Sequence, residues 1–346
     1  MRLTFLGVLT ALLALTLGGL VVPAPATAAP PRVVSRAVSF DVENTNATTA
    51  LCLPDNESYR LHARLVGPAR AIEGRSGPLR INVLVHDEGT GSWSWHLRGR
   101  GLRGYDYATR LAERGETSLV IDRLGYGASG HPTSTCLGAQ ADVLHQVVQH
   151  LRSGRYDFAD PRLGSTPAAA HVVTHGLGLG AAIAQVEAAT FDDVAGLVLM
   201  SWTDRSATQL AQEELGRQRA ACLSGSAAAP AAGAAAFRQQ LFAVAPARVQ
   251  RAAAARRVPV PCGDVLSRAP MRLASGLGAG QVDAPVLLLY GGADALTRPS
   301  ARTAQASAYP TRTTTRTFTG AGSALPLERP AQVGTTVLRW LDQSQG

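Results

Sequence analysis

The sequence predicts an α/β fold: a mostly parallel central sheet flanked by helices, with a helical segment inserted late in the chain. Three observations lead there. Short apolar runs of the fully buried strand kind, at residues 81–85, 117–122, 170–174 and 194–201 and after Pro285, alternate with stretches of helical composition or period. One of them, His171-Val-Val-Thr174, runs into a glycine-dense turn, Gly176-Leu-Gly-Leu-Gly180, and then into a small-residue stretch, which is how a sharp strand-to-helix elbow is written. Finally, the alternation breaks over residues 202–282, which are rich in Ala, Gln and Arg and flexible near 224–236.

In chain order, Met1-Arg2 precedes an apolar run from Leu3 to about Val22, and Ala26-Thr27-Ala28 supplies small residues at a signal-peptidase spacing. Residues 1–28 therefore read as a cleaved secretory signal peptide, so that the mature protein is extracellular and meets a membrane only transiently, through that signal. Residues 37–42 and 59–66 alternate apolar and polar side chains, as an opening antiparallel hairpin does. Asn46 and Asn56 head glycosylation-type triplets between them and read as turn residues. Helical periodicity covers residues 105–114 and 140–152; a last strand is expected at 313–319 and a last helix at 331–343.

The chain has 346 residues, 46% hydrophobic and 17% charged, enough for one large domain or two modest ones with a substantial core. Its net charge of +8 comes wholly from arginine and is spread along the chain rather than gathered into a run, which argues against a nucleic-acid partner. Cys52, Cys136, Cys222 and Cys262 form an even set suited to an oxidising compartment. Four cysteines allow three pairings. Cys222 and Cys262 share the inserted segment, which favours Cys222–Cys262 with Cys52–Cys136.

Four motifs in this order resemble those of the α/β-hydrolase superfamily. They are His86-Asp87-Glu88-Gly89 after the strand at 81–85, Asp122-Arg-Leu-Gly-Tyr-Gly-Ala-Ser129, the elbow at 174–179, and Gly291-Gly-Ala-Asp294 with the later Gly320-Ala-Gly-Ser323. The resemblance implies an α/β-hydrolase core over 29–201 and 283–346, with a lid over 202–282. It also implies roles for particular residues. Laid on Gly-His-Ser-Leu-Gly-Gly, the elbow puts Gly176 where the family has its nucleophile and Leu177 beside it as an oxyanion-hole donor. Asp294 stands at the position of the triad acid, and Ser323 at that of the histidine. Where the oxyanion loop usually carries glycine, Asp87 turns either inward or to solvent; inward, its carboxylate would oppose a developing oxyanion.

None of the eight histidines lies beyond His175, so no register supplies the usual base after the acid. The expectation is a secreted, non-catalytic or very weakly active relative of serine esterases and lipases. It would bind a small apolar or ester-like ligand, or a protein partner, and use neither cofactor nor metal. The alternative is an active carboxylic ester hydrolase with another nucleophile, Thr174 or Ser323, or with a water held by Asp294 and His86. A dinucleotide fingerprint over Gly176-x-Gly178-x-x-Ala181 fails on context, because several strands precede it and Asp192-Asp193 come before the next strand rather than after it.

Overall fold

Branched and leucine-rich runs bounded by glycine loops become the inner strands of one sheet, and the periodic stretches between them become the helices that cover its faces. The computed structural model describes residues 31–344 apart from 78, 206 and 311, so the expected signal peptide lies outside the described residues. The elements run β1 (Val33–Glu43), β2 (Ser58–Pro68), a single turn α1 (Ala69–Ile72), β3 (Leu79–Val85), α2 (Tyr107–Ala112), β4 (Thr117–Ile121), α3 (Leu137–Ser153), β5 (Asp157–Phe158), β6 (Ala169–Leu177), α4 (Leu179–Phe191) and β7 (Gly196–Met200). Between β7 and β10 lie α5 (Gln209–Leu223), β8 (Ala228–Ala229), α6 (Ala234–Leu241), α7 (Ala247–Ala254), β9 (Val260–Pro261), α8 (Cys262–Leu266) and α9 (Arg268–Gly278). The chain closes with β10 (Val286–Gly291), α10 (Pro299–Ala306), β11 (Thr313–Phe318), α11 (Leu325–Glu328) and α12 (Pro330–Ser344).

The main sheet has the order β11-β10-β7-β6-β3-β4-β2-β1-β5. Strands β3, β4, β6, β7, β10 and β11 pair in parallel, while β1, β2 and β5 form an antiparallel edge. Parallel strands buried on both faces need apolar residues at every position, and β4, β7 and β10 are buried throughout. One face packs α3, α4 and α9 against Val83, Val172, Leu199 and Leu288; the other packs α2 and α12 against Leu84, Val173 and Leu289. The reversal of strand order between β3 and β6 brings the carboxyl ends of these strands and their loops to one edge of the sheet, where ligands of open α/β sheets bind.

The segment between β7 and β10 has a small core of its own. Phe237, Leu241, Phe242 and Val249 pack over Leu97, Leu102, Ala324 and Leu327, above the carboxyl edge of the sheet. It is tied down by a fully buried ion pair, Arg123 Nη1 to Asp264 Oδ2 at 2.9 Å, with the Tyr126 hydroxyl donating to the same oxygen at 3.2 Å. Two disulfides brace the chain. Cys52–Cys136 joins the loop after β1 to the start of α3, and Cys222–Cys262 joins the end of α5 to the start of α8. No described helix is long and apolar enough to cross a membrane.

Candidate functional site

The elbow is built by three glycines with different tasks. Gly176 is a ladder residue of β6, paired with Val85 and Leu199. A Cβ there would overlap the backbone of Ala181, and one on Gly180 would overlap the carbonyl of Val85, so both glycines let α4 cross close against the strands. The turn itself is made by Gly178, which lies between β6 and α4 with φ 53° and ψ −119°, a conformation that L side chains rarely adopt. The small–x–turn–x–small frame is thus Gly176-Leu177-Gly178-Leu179-Gly180. This corrects the sequence register by two residues: the residue presented at the tip is Gly178, not Gly176. Leu177 is corrected with it. It is the last residue of β6, paired with Met200, and the N–H that opens toward the tip belongs to Leu179. The signal was in the sequence, since the corrected frame has glycine at both small positions and the other frame has Thr174 at one of them.

Neither frame offers a nucleophile, and the space above Gly178 is already filled. Asp87 turns inward. Its Oδ1 accepts the Leu179 N–H at 2.7 Å and the Glu88 N–H at 2.8 Å, and a Cβ on Gly178 would overlap its carboxylate. One carboxylate oxygen therefore sits between two backbone donors, as an oxyanion would in an acyl-transfer enzyme. Burial is the largest influence on this group and pushes its carboxyl up to about 6, aided by the charge of Asp294 and opposed by the Leu179 N–H, Arg268 and Arg123. With the folded-state value above that of an unfolded carboxylate, the folded protein keeps a proton that the unfolded chain releases. Stability from this group is full below about pH 4 and falls as the pH rises through about 6. Asp87→Asn keeps an acceptor for both N–H groups, so urea unfolding should show a flatter pH 4–7 profile and a gain at pH 7 on the order of 2–3 kcal/mol. An unchanged pH profile would contradict a buried, ionising Asp87.

The structure brings Asp294 and Ser323 together. Glycines at the end of β10 and in the loop before α11 allow the approach: a Cβ on Gly291 would overlap the carbonyls of Ala321 and Gly322. The Ser323 hydroxyl donates to Asp294 Oδ1 at 2.6 Å, and the Ser201 hydroxyl donates to the Ser323 carbonyl at 2.8 Å. Asp294 also accepts the N–H groups of Leu296 and Thr297 and the Thr297 hydroxyl. A carboxylate shared among four donors holds its loop and the Ser323 hydroxyl in place.

Other candidates for chemistry are engaged elsewhere. His86 is fully buried. Its Nδ1 donates to the Asp87 carbonyl at 2.7 Å and its Nε2 accepts the Arg123 N–H at 3.2 Å, and burial together with Arg123 holds its value well below the usual range. With both nitrogens engaged, it cannot hold a catalytic water with Asp294. His175 is clamped between the Tyr107 hydroxyl and the Asn82 side-chain oxygen and is pushed down to about 3 by burial and Arg80. Thr174 is buried within β6, and its hydroxyl faces no base.

A cavity of about 80 Å³ lies over Gly178, lined by Asp87, Ser201, Trp202, Arg268 and Thr297 among others, and a void of about 10 Å³ beside it touches Trp93, Leu241 and Ser323. Among the described residues, no histidine lines either space. Binding sites for drug-sized ligands run to several hundred Å³, whereas this cavity has room for a few waters. Wider grooves, about 550 Å³ beside α2 and about 730 Å³ beside α12, are lined by none of these residues. The sequence did not point to Arg268, which lines the cavity and meets Glu88 in an ion pair, nor to Asp264, which pairs with Arg123.

Comparison with known proteins agrees with the fold. No curated protein gives a significant match. Among solved structures, an esterase from Thermogutta terrifontis, solved with malate bound, is 20% identical with a TM-score of 0.60, covering 89% of this chain and 100% of that one. An esterase from Exiguobacterium antarcticum is 16% identical with a TM-score of 0.58, covering 82% and 96%. The structure of E-2-(acetamidomethylene)succinate hydrolase is 18% identical with a TM-score of 0.56, covering 88% and 99%. Likeness at this identity speaks for the fold, a large mostly parallel sheet flanked by helices. The family described as the alpha/beta hydrolase family matches residues 83–335, more than half of the sequence, and the chain belongs to that family.

Proposed function

We propose that this is an exported, non-catalytic member of the alpha/beta hydrolase family that acts by binding. The observation that carries the reading is Asp87: its carboxylate occupies the two-donor cradle of Leu179 and Glu88 and crowds the place where a side chain at position 178 would stand. Gly178 at the tip and Ser323 beside Asp294 support it, since a nucleophile and a titrating base are both missing. The two disulfides support export, and the segment over 202–282 serves as the lid. The small cavity favours a protein partner over an enclosed apolar or ester-like ligand. The test is hydrolysis of nitrophenyl acetate and butyrate by the purified chain. We expect no turnover above buffer; turnover that follows the protein through repurification overturns the reading.

One contact favours a second reading, an ester hydrolase that uses Ser323, whose hydroxyl lies 2.6 Å from the Asp294 carboxylate. Under that reading Ser323→Ala abolishes a measurable turnover. Under ours there is none to abolish.

A further inference from the structure

On the face of the sheet covered by α3 and α4, three side chains meet that the elbow chemistry does not use. They are His145 on α3, Glu187 on α4 and Asp193 just after α4. One ring nitrogen and one oxygen from each carboxylate lie within 4.8 Å of one another. Glu187 has no solvent exposure, and no donor group reaches either of its carboxylate oxygens or Asp193 Oδ1; the side chain in hydrogen-bonding contact with Glu187 is the Asp193 carboxyl itself. Buried carboxylate oxygens that no donor reaches are costly, and two carboxylates side by side compound the cost by repulsion. The charge of Arg152 reaches Glu187, without a hydrogen bond between them.

The surroundings hold the would-be ligands in place. His145 Nδ1 lies 2.8 Å from Asp193 Oδ2, the Gln149 amide donates to that same oxygen at 2.6 Å, and the imidazole stacks on Phe191 with ring centroids 3.8 Å apart. The His145 side chain is 25% exposed, which leaves a path from solvent to the cluster.

We propose that His145, Glu187 and Asp193 bind one divalent transition-metal ion, Zn²⁺ by ligand type, and that it clamps α3 to the carboxyl end of the elbow helix. One imidazole and two carboxylates suit Zn²⁺, whereas Ca²⁺ takes six to eight oxygens and Mg²⁺ rarely leaves water for such a set. Metal–ligand distances of roughly 2.0–2.2 Å put tetrahedral ligands about 3.3–3.6 Å apart, so loading draws the three groups together by a modest side-chain adjustment. The buried oxygens of Glu187 and Asp193 gain a counter-charge, and water reaching past His145 completes the coordination.

The test uses the full mature chain, free of any histidine tag and stripped with EDTA. Isothermal titration with Zn²⁺ should show one ion per chain, and a hundredfold excess over Kd should raise Tm by about 4–5 °C. Ca²⁺ at the same concentration should leave Tm unchanged. Glu187→Gln should weaken Zn²⁺ binding at least tenfold, and His145→Ala, at a partly exposed position, serves as the second variant if the first fails to fold. Failure of the stripped native chain to bind Zn²⁺ would overturn the proposal. So would retention of full affinity in both variants, or a more stable Glu187→Gln protein whose native parent ignores Zn²⁺, which would mean that the two carboxylates share a proton. None of these outcomes depends on whether the elbow is catalytic.

Discussion

Combining Asp87→Gly with Gly178→Ser and Ser323→His should turn the chain into a measurable esterase, whereas Gly178→Ser with Ser323→His alone should remain silent. The second variant restores a nucleophile and a base beside Asp294 but leaves the Asp87 carboxylate where the new side chain and the oxyanion must go. Removing that carboxylate frees the Leu179 and Glu88 N–H groups to stabilise a tetrahedral intermediate, and one such donor is worth about 10²–10³ in kcat. The triple variant should therefore exceed the double by at least about a hundredfold on nitrophenyl acetate, an ester chosen because the cavity is small. The double variant should also be less stable, since its serine side chain overlaps Asp87 at a turn that favours glycine. If the double variant alone turns over freely, Asp87 does not occupy the site in solution.

Asp264→Ala should cost about 3–5 kcal/mol, because it leaves the Arg123 guanidinium buried without its counter-ion. Arg123 is 1% exposed, lies over the Tyr126 ring at 4.5 Å and already has Nε and Nη2 without partners, so it has no route to water. Replacing both charges, Arg123→Met with Asp264→Leu, should cost far less and could even stabilise, since the desolvation of two ions disappears along with their attraction. Equilibrium unfolding in urea of the two variants separates these effects. A single variant within about 1 kcal/mol of native would mean that this pair does not anchor the segment between β7 and β10.

Much of this architecture is legible in sequence because the inner strands are short apolar runs closed by glycine loops, and that pattern has few alternatives. Residues 37–42 and 59–66 read as a hairpin, and the structure pairs β1 with β2 from Val33↔Pro68 to Glu43↔Ser58. The loops carrying Asp294 and Ser323 are legible too, since each follows one strand and sets its polar residue directly after a run of Gly and Ala, Gly291-Gly-Ala-Asp294 and Gly320-Ala-Gly-Ser323. The elbow register is not. Glycine recurs every second residue from Gly176 to Gly180, so the frame can slide by two while the local pattern barely changes, and only the backbone turn at Gly178 breaks the tie. Nor could the sequence decide which way Asp87 faces, because that depends on an empty position 178 and on the Leu179 N–H 92 residues away. The Arg123–Asp264 pair joins residues separated by 141 positions, and no local pattern announces a contact of that range.

The most direct test of the central claim is intact-mass analysis after incubation with a fluorophosphonate, which labels an activated nucleophile in an open oxyanion hole. With Gly178 at the elbow and Asp87 in the cradle, the native chain should keep its unmodified mass while the triple variant gains one adduct at position 178. A stoichiometric adduct on the native chain would contradict the account and identify the nucleophile it lacks.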